Sequence, residues 1–177
     1  APYLIEAGYE TVFLITGKHF QLHSNPDFLK ATHFTHLIKN GVNVTQDEIN
    51  EALAEFSKEK YQAILAIGGG SVIDLAKALI YQLEKKSKNI PFFAAAPTTA
   101  GSGTEATHFA VVYIDYKKLS LVSKVLLPQL VILDPVLTYS LSSYQTAVSG
   151  MDILAQAIES YWNKNATAES KISAIHA

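Results

Sequence analysis

The sequence has no cysteine and no arginine, and these two absences exclude several classes of protein. Without cysteine there is no disulfide scaffold, no thiolate metal site and no cysteine nucleophile. Without arginine, and with 14 lysines against 16 acidic residues, the chain lacks the positive charge that binding to a phosphate backbone requires. We therefore predict no nucleic-acid partner.

Long hydrophobic runs and a signal peptide are also missing. The apolar runs reach about six residues, whereas a helix that spans a membrane needs about 20. The first residues, Ala1 to Glu6, contain no basic segment and no long apolar run, so we expect a cytoplasmic protein with no membrane partner. Hydrophobic residues still make up 49% of the 177 residues and the net charge is −2, which excludes a disordered chain.

Short apolar runs alternate with amphipathic segments through the first 97 residues, which predicts an α/β fold with a parallel sheet. The predicted strands are Thr11–Thr16, Phe34–Ile38, Ala63–Ile67 and Phe92–Ala96. One helix should begin after Thr45, because Glu48 stands where a capping box needs it, and another should follow Gly70. Further on, Ala110–Ile114, Leu119–Val122 and Val131–Asp134 read as short strands, and the chain reads as helical from Tyr144.

The first candidate site is the run Gly68-Gly69-Gly70-Ser71, which follows a buried strand and opens a helix. Glycines allow a ligand to approach the backbone, and a helix N-terminus offers free N–H groups, so the run can cradle a phosphate. The run is neither a G-x-G-x-x-G fingerprint nor a Walker A loop. The alternative is an ordinary tight turn, with Ser71 as helix cap and Asp74 as an acidic residue of the first turn.

The second candidate site is the segment from Pro97 to Glu105, which also follows a buried strand. It offers hydroxyl groups and bare backbone at the carboxyl end of the sheet, where open α/β folds bind their ligands. Two such loops on successive strands should face one crevice. The alternative is a pair of ordinary surface turns.

The third candidate site is formed by Asp152 and Gln156, which are four residues apart and share one helix face. Both side chains offer oxygen atoms to a divalent metal, and Gln156 can also donate a hydrogen bond to a substrate. Two positions make only half a metal site, and no histidine stands three or four residues from Asp152. The alternative is an ordinary polar helix face.

These segments occur in the order found in the iron-containing alcohol dehydrogenase family, which the sequence resembles from about residue 11 onward. The matching motifs are Thr16-Gly17-Lys18, Gly68 to Lys77, Pro97 to Glu105, Leu127-Pro128, Asp134 to Thr138, and Gly150-Met151-Asp152 with Ala157 to Tyr161. The resemblance implies a dehydroquinate synthase-like fold. A Rossmann-like nucleotide-binding domain would occupy residues 1–140, and residues 141–177 would be the first helices of an all-helical domain.

The resemblance also implies a cofactor, NADP or NAD, and a set of residues that contact it. These are Gly68, Gly69, Gly70 and Ser71 at the pyrophosphate, Asp74 in the same cleft, Thr98, Thr99 and Ser102 toward the nicotinamide, Lys118, and Leu137 as an apolar contact. Gly17 stands where relatives that prefer NAD often carry Asp. Because an Asp there would repel a 2′-phosphate, Gly17 leads us to expect that NADP(H) is accepted.

The family holds its metal, which we expect to be Fe, Zn or another divalent ion, with one Asp and three His. Asp152 matches the Asp, but Gln156 replaces the first His, as in a subgroup that resembles phosphonoacetaldehyde reductases. An amide oxygen is a poorer ligand for Fe or Zn than an imidazole. The other two His belong to the helical domain, so we expect the chain to be part of a longer protein.

The implied function is hydride transfer between NAD(P)(H) and a small alcohol or aldehyde, with the metal polarising the substrate oxygen. A homo-oligomer is expected. One alternative is a nucleotide-binding module without catalysis. Another is an enzyme resembling glycerol dehydrogenase or dehydroquinate synthase, against which the missing His at position 156 weighs.

Overall fold

The structure, a computed structural model, describes residues 6–18, 20, 33–86 and 89–177. Its strands are β1 (Thr11–Gly17), β2 (His33–Lys39), β3 (Ala63–Gly68), β4 (Phe92–Pro97), β5 (Phe109–Ile114), β6 (Lys117–Val122) and β7 (Leu130–Val131). Its helices are α1 (Gln46–Phe56), α2 (Gly70–Lys86), α3 (Ser143–Trp162) and α4 (Ala168–His176). Short 3-10 turns lie at Thr104–Ala106, Lys124–Leu126 and Pro135–Thr138.

Five strands form a parallel sheet in the order β2-β1-β3-β4-β7, which confirms the predicted fold class. The last strand is shorter than predicted, because the chain leaves the sheet and Asp134 caps the next 3-10 turn. Strands β5 and β6 stand apart as an antiparallel hairpin.

The strand order creates a switch point between β1 and β3. After β1 the chain moves outward to β2, and it then returns to form β3 on the opposite side of β1. In open α/β sheets, ligands bind at the carboxyl ends of the strands at such a point, where the connections diverge. Gly17 ends β1 and Gly68 ends β3, so the topology places both glycines there.

Alternate residues of the strands pack on opposite faces of the sheet, as the two-residue period of a strand requires. Helices α1 and α2 cover the face that contains Phe13, Ile64 and Phe93, and the β5–β6 hairpin packs on α2. Every residue of α2 from Val72 to Ile80 is buried, because α2 lies between the sheet, α1 and the hairpin. Helical spacing alone predicts one buried stripe on α2, formed by Val72, Leu75, Ala76 and Leu79, so it underestimates this burial.

A buried lysine organises the connection from β2 to α1. The ammonium group of Lys39, which is 3% exposed, donates to the carbonyl oxygens of Gly41 and Asn43, both at 2.8 Å. It also donates to the two carboxylate oxygens of Glu48, at 2.9 and 3.0 Å. Glu48 completes the predicted capping box with Thr45, so one carboxylate both begins α1 and neutralises Lys39.

The two C-terminal helices begin at capping residues but bury no side chain. Ser142 caps α3, and Thr167 forms a capping box with Ser170 at the start of α4. Apolar residues of α3 remain open, Met151 among them with 63% of its surface exposed. None of the helices in the described ranges has the length and apolar character that would let it cross a membrane.

We predict that Glu48→Ala lowers the free energy of unfolding by roughly 3–5 kcal/mol, because it leaves the buried ammonium of Lys39 without a counter-charge. The control is Glu51→Ala, an exposed position on the same helix that should change stability by less than about 0.5 kcal/mol. Urea unfolding measures both. Equal losses in the two variants would show that the ion pair does not organise this connection.

Candidate functional site

The glycine run closes β3 and opens α2. Gly68 is the last residue of β3, and the carbonyl of Gly69 accepts the backbone N–H groups of Val72 and Ile73 at 2.9 and 3.3 Å. The helix begins at Gly70, so the alternative in which Ser71 caps it is wrong, because Ser71 lies inside the helix. Asp74 is therefore in the second turn, beyond the free N–H groups of the helix start.

The glycines that end β1 and β3 both lie against the first turn of α2. A Cβ atom added at Gly68 would lie 2.5 Å from Cγ2 of Val72, and one added at Gly17 would lie 3.5 Å from the same atom. Both glycines therefore face Val72. The ends of β1 and β3 thus reach the helix start together, without side chains of their own.

The loop after β4 lies directly on this cradle. The backbone N–H of Thr98 donates to the carbonyl of Gly68 at 3.0 Å. A Cβ atom added at Gly69 would lie 3.3 Å from Cγ2 of Thr99, and one added at Gly70 would lie 3.1 Å from the hydroxyl of Ser102. The structure therefore brings the first two sequence-predicted loops into contact.

The hydroxyl of Ser102 carries an unmet hydrogen-bonding requirement. It is buried and has no hydrogen-bond partner among the described residues. A buried polar atom without a partner costs free energy, and this one lies beside a helix N-terminus that favours anions. The chemistry of this donor set, an unpaired hydroxyl beside the free N–H groups of a glycine-rich helix start, fits an anion such as the pyrophosphate of a dinucleotide.

Asp74 lies behind the loops, between α2 and β5. It is 9% exposed and accepts a hydrogen bond from the backbone of Val111. Burial raises the pKa of Asp74 to about 6, while the Val111 hydrogen bond and the charge of Lys77 oppose the rise. The contacts of Asp74 with Val111 and Lys77 are thus structural, and a contact between Asp74 and the cofactor stays a prediction.

Lys77, to which sequence reasoning assigned no role, is completely buried beside Asp74. Its ammonium group donates to the carbonyls of Thr104 and Thr107, both at 2.6 Å, to the Thr107 hydroxyl at 3.1 Å and to the carbonyl of Phe109 at 2.9 Å. Burial lowers the pKa of Lys77 to about 8, although the charges of Asp74 and Glu105 raise it. The sequence signal was an Asp–Lys pair, three residues apart, in an otherwise apolar stretch of helix.

Helix α3 touches the loop that follows β4, so the third predicted site joins the first two. The side-chain amide of Gln156 donates to the carbonyl of Gly101 at 3.3 Å. A Cβ atom added at Gly101 would lie 2.6 Å from the backbone oxygen of Ser149, so only glycine allows this approach. Asp152 lies one turn before Gln156 and is exposed.

The described residues do not complete a metal site. They contain no group of three or more His, Asp or Glu side chains placed to hold an ion. Asp152 and Gln156 offer two oxygen donors, whereas iron or zinc sites take four or more ligands. The metal and these two ligands stay predictions.

Two histidines of the described ranges, His36 and His33, make contacts with residues other than Asp152 and Gln156. His36 shares a 2.7 Å hydrogen bond with the buried hydroxyl of Thr16, and burial lowers the pKa of His36. His33 lies 2.9 Å from Glu59 at the surface. His19 and His23 lie outside the described residues.

Two predicted cofactor contacts lie away from the loops in sequence. Lys118 is exposed in β6, opposite Tyr113 of β5. Leu137 lies in the 3-10 turn Pro135–Thr138 and is half-buried. Their roles toward a cofactor stay predictions.

The raised pKa of Asp74 predicts a pH dependence of stability. Its pKa changes from 3.8 to about 6 on folding, so between these values the folded state binds more protons than the unfolded state. The free energy of unfolding should therefore fall as the pH rises from about 4 to about 6, by roughly 2–3 kcal/mol from this group. Urea unfolding of the wild type and of Asp74→Asn across this range isolates the effect. A stability difference that does not change with pH would contradict it.

Comparison with known proteins connects this geometry to a family. Residues 1–135 match the iron-containing alcohol dehydrogenase family. The chain is 34% identical over 119 residues to 1-propanol dehydrogenase PduQ of Salmonella typhimurium, covering 66% of this chain and 32% of that protein. It is 33% identical over 134 residues to the probable alcohol dehydrogenase EutG of Escherichia coli, covering 68% of this chain and 34% of that protein. The chain thus spans about a third of the length of the curated relatives it matches.

Solved structures with the same fold match nearly the whole chain. A sulfoacetaldehyde reductase from Bifidobacterium kashiwanohense, solved with NAD+, has a TM-score of 0.87 at 28% identity, over 99% of this chain and 52% of that one. An iron-containing alcohol dehydrogenase from Thermococcus thioreducens has a TM-score of 0.85 at 26% identity, over 97% of this chain and 53% of that one. By its sequence and by its fold, the chain belongs to the iron-containing alcohol dehydrogenase family.

Proposed function

We propose that this chain binds a nicotinamide dinucleotide in the crevice at the carboxyl ends of β1 and β3. The protein that carries the chain would use the cofactor to move a hydride between it and a small alcohol or aldehyde. The observation that carries the proposal is the unpaired, buried hydroxyl of Ser102 above Gly70, at the start of α2. A phosphate oxygen is the partner that this combination of donors lacks.

The residues of the chain have separate tasks in this proposal. Gly68, Gly69 and Gly70 keep the floor of the crevice free of side chains, so that the backbone N–H groups of α2 reach the pyrophosphate. Ser102 donates its hydroxyl from the opposite side. Thr98 and Thr99, with Lys118 and Leu137, orient the rest of the cofactor. The nicotinamide supplies the hydride chemistry when it is bound.

The named relatives support the reaction class. Two curated relatives are named as alcohol dehydrogenases, and the sulfoacetaldehyde reductase was solved with NAD+. Because α3 lies against the second loop, we place the substrate on the side of Asp152 and Gln156. A divalent metal, Fe, Zn or another, would need donors beyond these two side chains.

A second candidate function is dinucleotide binding without catalysis by this chain. The two-donor set at Asp152 and Gln156 favours it, since the family's metal chemistry needs more ligands than the described residues provide. Two experiments separate the candidates. One measures the thermal shift caused by NADPH, with and without a divalent metal, and the other measures NADPH oxidation over a panel of small aldehydes. Stabilisation by cofactor alone, with no turnover, supports the second candidate.

The binding proposal predicts that Gly70→Ala weakens the binding of NADPH at least about tenfold. The added methyl group would push the phosphate away from the helix start, and one lost charge-assisted hydrogen bond amounts to about 1.4 kcal/mol or more. The new Cβ would lie 3.1 Å from the Ser102 hydroxyl and fill the cradle. Gly150→Ala is the matched control, since no atom of the described residues beyond its chain neighbours and its own helix backbone lies within 4 Å of a Cβ added there. Isothermal titration calorimetry measures both. Unchanged affinity in folded Gly70→Ala would contradict the proposed cradle.

Gly17 is proposed to let the site accept NADP(H). Among the described residues, the neighbour within 4 Å of a Cβ added here is Val72, at an ordinary 3.5 Å, so this backbone position accepts a Cβ. We predict that Gly17→Asp lowers the affinity for NADPH at least about tenfold relative to NADH, since like charges brought together cost several kcal/mol. Gly17→Asn controls for shape without charge. A wild-type chain that clearly prefers NADH, or equal effects of Asp and Asn, would contradict the assignment.

A further inference from the structure

We propose that Lys77 is a positioning residue for the cofactor crevice, because its buried ammonium group holds the loop after β4 against the first turn of α2. The contacts by which Lys77 holds this loop are seen in the structure itself. Its consequence for the cofactor rests on the proposed function.

The contacts of Lys77 converge from one segment of chain. Four acceptors surround its ammonium nitrogen at 2.6–3.1 Å, and all belong to Thr104, Thr107 and Phe109. Three of the four are backbone carbonyls, so the lysine fixes the path of the main chain. Thr107 reinforces that path, since its hydroxyl donates to the carbonyl of Thr104 at 3.2 Å.

The same segment forms one wall of the crevice. The hydroxyl of Thr104 lies 3.2 Å from where a Cβ of Gly70 would stand, close to the hydroxyl of Ser102. Gly70 and Lys77 are seven residues apart on α2, so they lie on one side of the helix, two turns apart. One rigid helix therefore carries both the floor of the crevice and the group that holds its wall.

The electrostatic surroundings favour a cation at this point. The carbonyl oxygens of Thr104, Thr107 and Phe109 direct their partial negative charge at the ammonium group. The carboxylates of Asp74 and Glu105 add negative charge, and with a pKa of about 8 the lysine is mostly protonated at neutral pH. An apolar residue of similar length would leave these three carbonyls without this donor.

The test uses Lys77→Met, and Thr107→Val as a milder variant that removes one acceptor. Ile49→Ala is the control, because it opens a cavity in α1 outside both loops and costs stability through packing alone. Two quantities are measured on each folded protein at pH 7. They are the hydrogen exchange of the backbone amides from Thr98 to Thr104 without cofactor, and the dissociation constant for NADPH by calorimetry.

We expect Lys77→Met to accelerate exchange in this loop and to weaken NADPH binding, each at least about tenfold, the equivalent of about 1.4 kcal/mol. Thr107→Val should act in the same direction by a smaller factor. Ile49→Ala should leave both quantities within about threefold of wild type, which stays below that 1.4 kcal/mol. Combined with Gly70→Ala, Lys77→Met should weaken binding by less than the product of the two single effects, since both act on one contact.

The proposal would be overturned if the loop amides of folded Lys77→Met exchanged as slowly as those of the wild type. It would also be overturned if Lys77→Met and Ile49→Ala changed loop exchange and NADPH affinity equally. Should Lys77→Met fail to fold, the exchange rates of Thr107→Val decide in its place. A wild-type chain that binds neither NADPH nor NADH would defeat the proposed function, while the exchange comparison would still decide the role of Lys77.

Discussion

The site depends on the close approach of two loops, each of which has glycine where a side chain would keep them apart. Strands β3 and β4 are parallel neighbours, with Gly68 opposite Pro97, so the loops that follow them leave the sheet side by side. A Cβ at Gly70 would press on Ser102 and Thr104, and one at Gly101 would press on the backbone of α3. The three sequence motifs meet because Gly101 lets the loop approach the backbone of α3 more closely than alanine would, and Gly70 leaves room for the side chains of Ser102 and Thr104.

Two buried lysines hold the connections around the sheet, and they do so in the same way. Lys39 organises the connection into α1, and Lys77 organises the loop after β4. Each binds backbone carbonyls with a compact ammonium group and has carboxylates nearby. Removing a carboxylate or the lysine leaves a buried charge or several carbonyls without a partner, so these contacts determine the local backbone.

Much of the fold follows from local sequence. Apolar runs identified β1, β3 and β4, and the capping residue Thr45 with Glu48 identified the start of α1. These signals are read correctly because each depends on a few neighbouring residues. Sequence reasoning placed the start of α2 just after Gly70, one residue late, since a glycine run has no side-chain cap that marks where the helix begins.

Long-range partners explain the rest. The burial of α2 on nearly every side comes from the hairpin packed over it, and the acceptors of Lys77 lie 27 to 32 residues further along the chain. No local pattern encodes either feature. The family resemblance identified Thr98, Thr99 and Ser102 as one group of cofactor contacts. The structure adds that the hydroxyl of Ser102 has no hydrogen-bond partner among the described residues. The roles of Lys118, Leu137 and Asp152 depend on bound molecules, which neither local pattern nor packing reveals.

The most direct measurement of the central claim is a titration of the isotopically labelled chain with NADPH, followed by amide chemical shifts. The account predicts that the largest shifts occur at Gly17, at Gly68 to Ser71 and at Thr98 to Ser102, which meet at the carboxyl ends of the strands. Residues Tyr61 and Gln62, which precede β3 at the other end of the sheet, should not move. Shifts centred on Tyr61 and Gln62, or no shifts at saturating NADPH and NADH, would contradict the account.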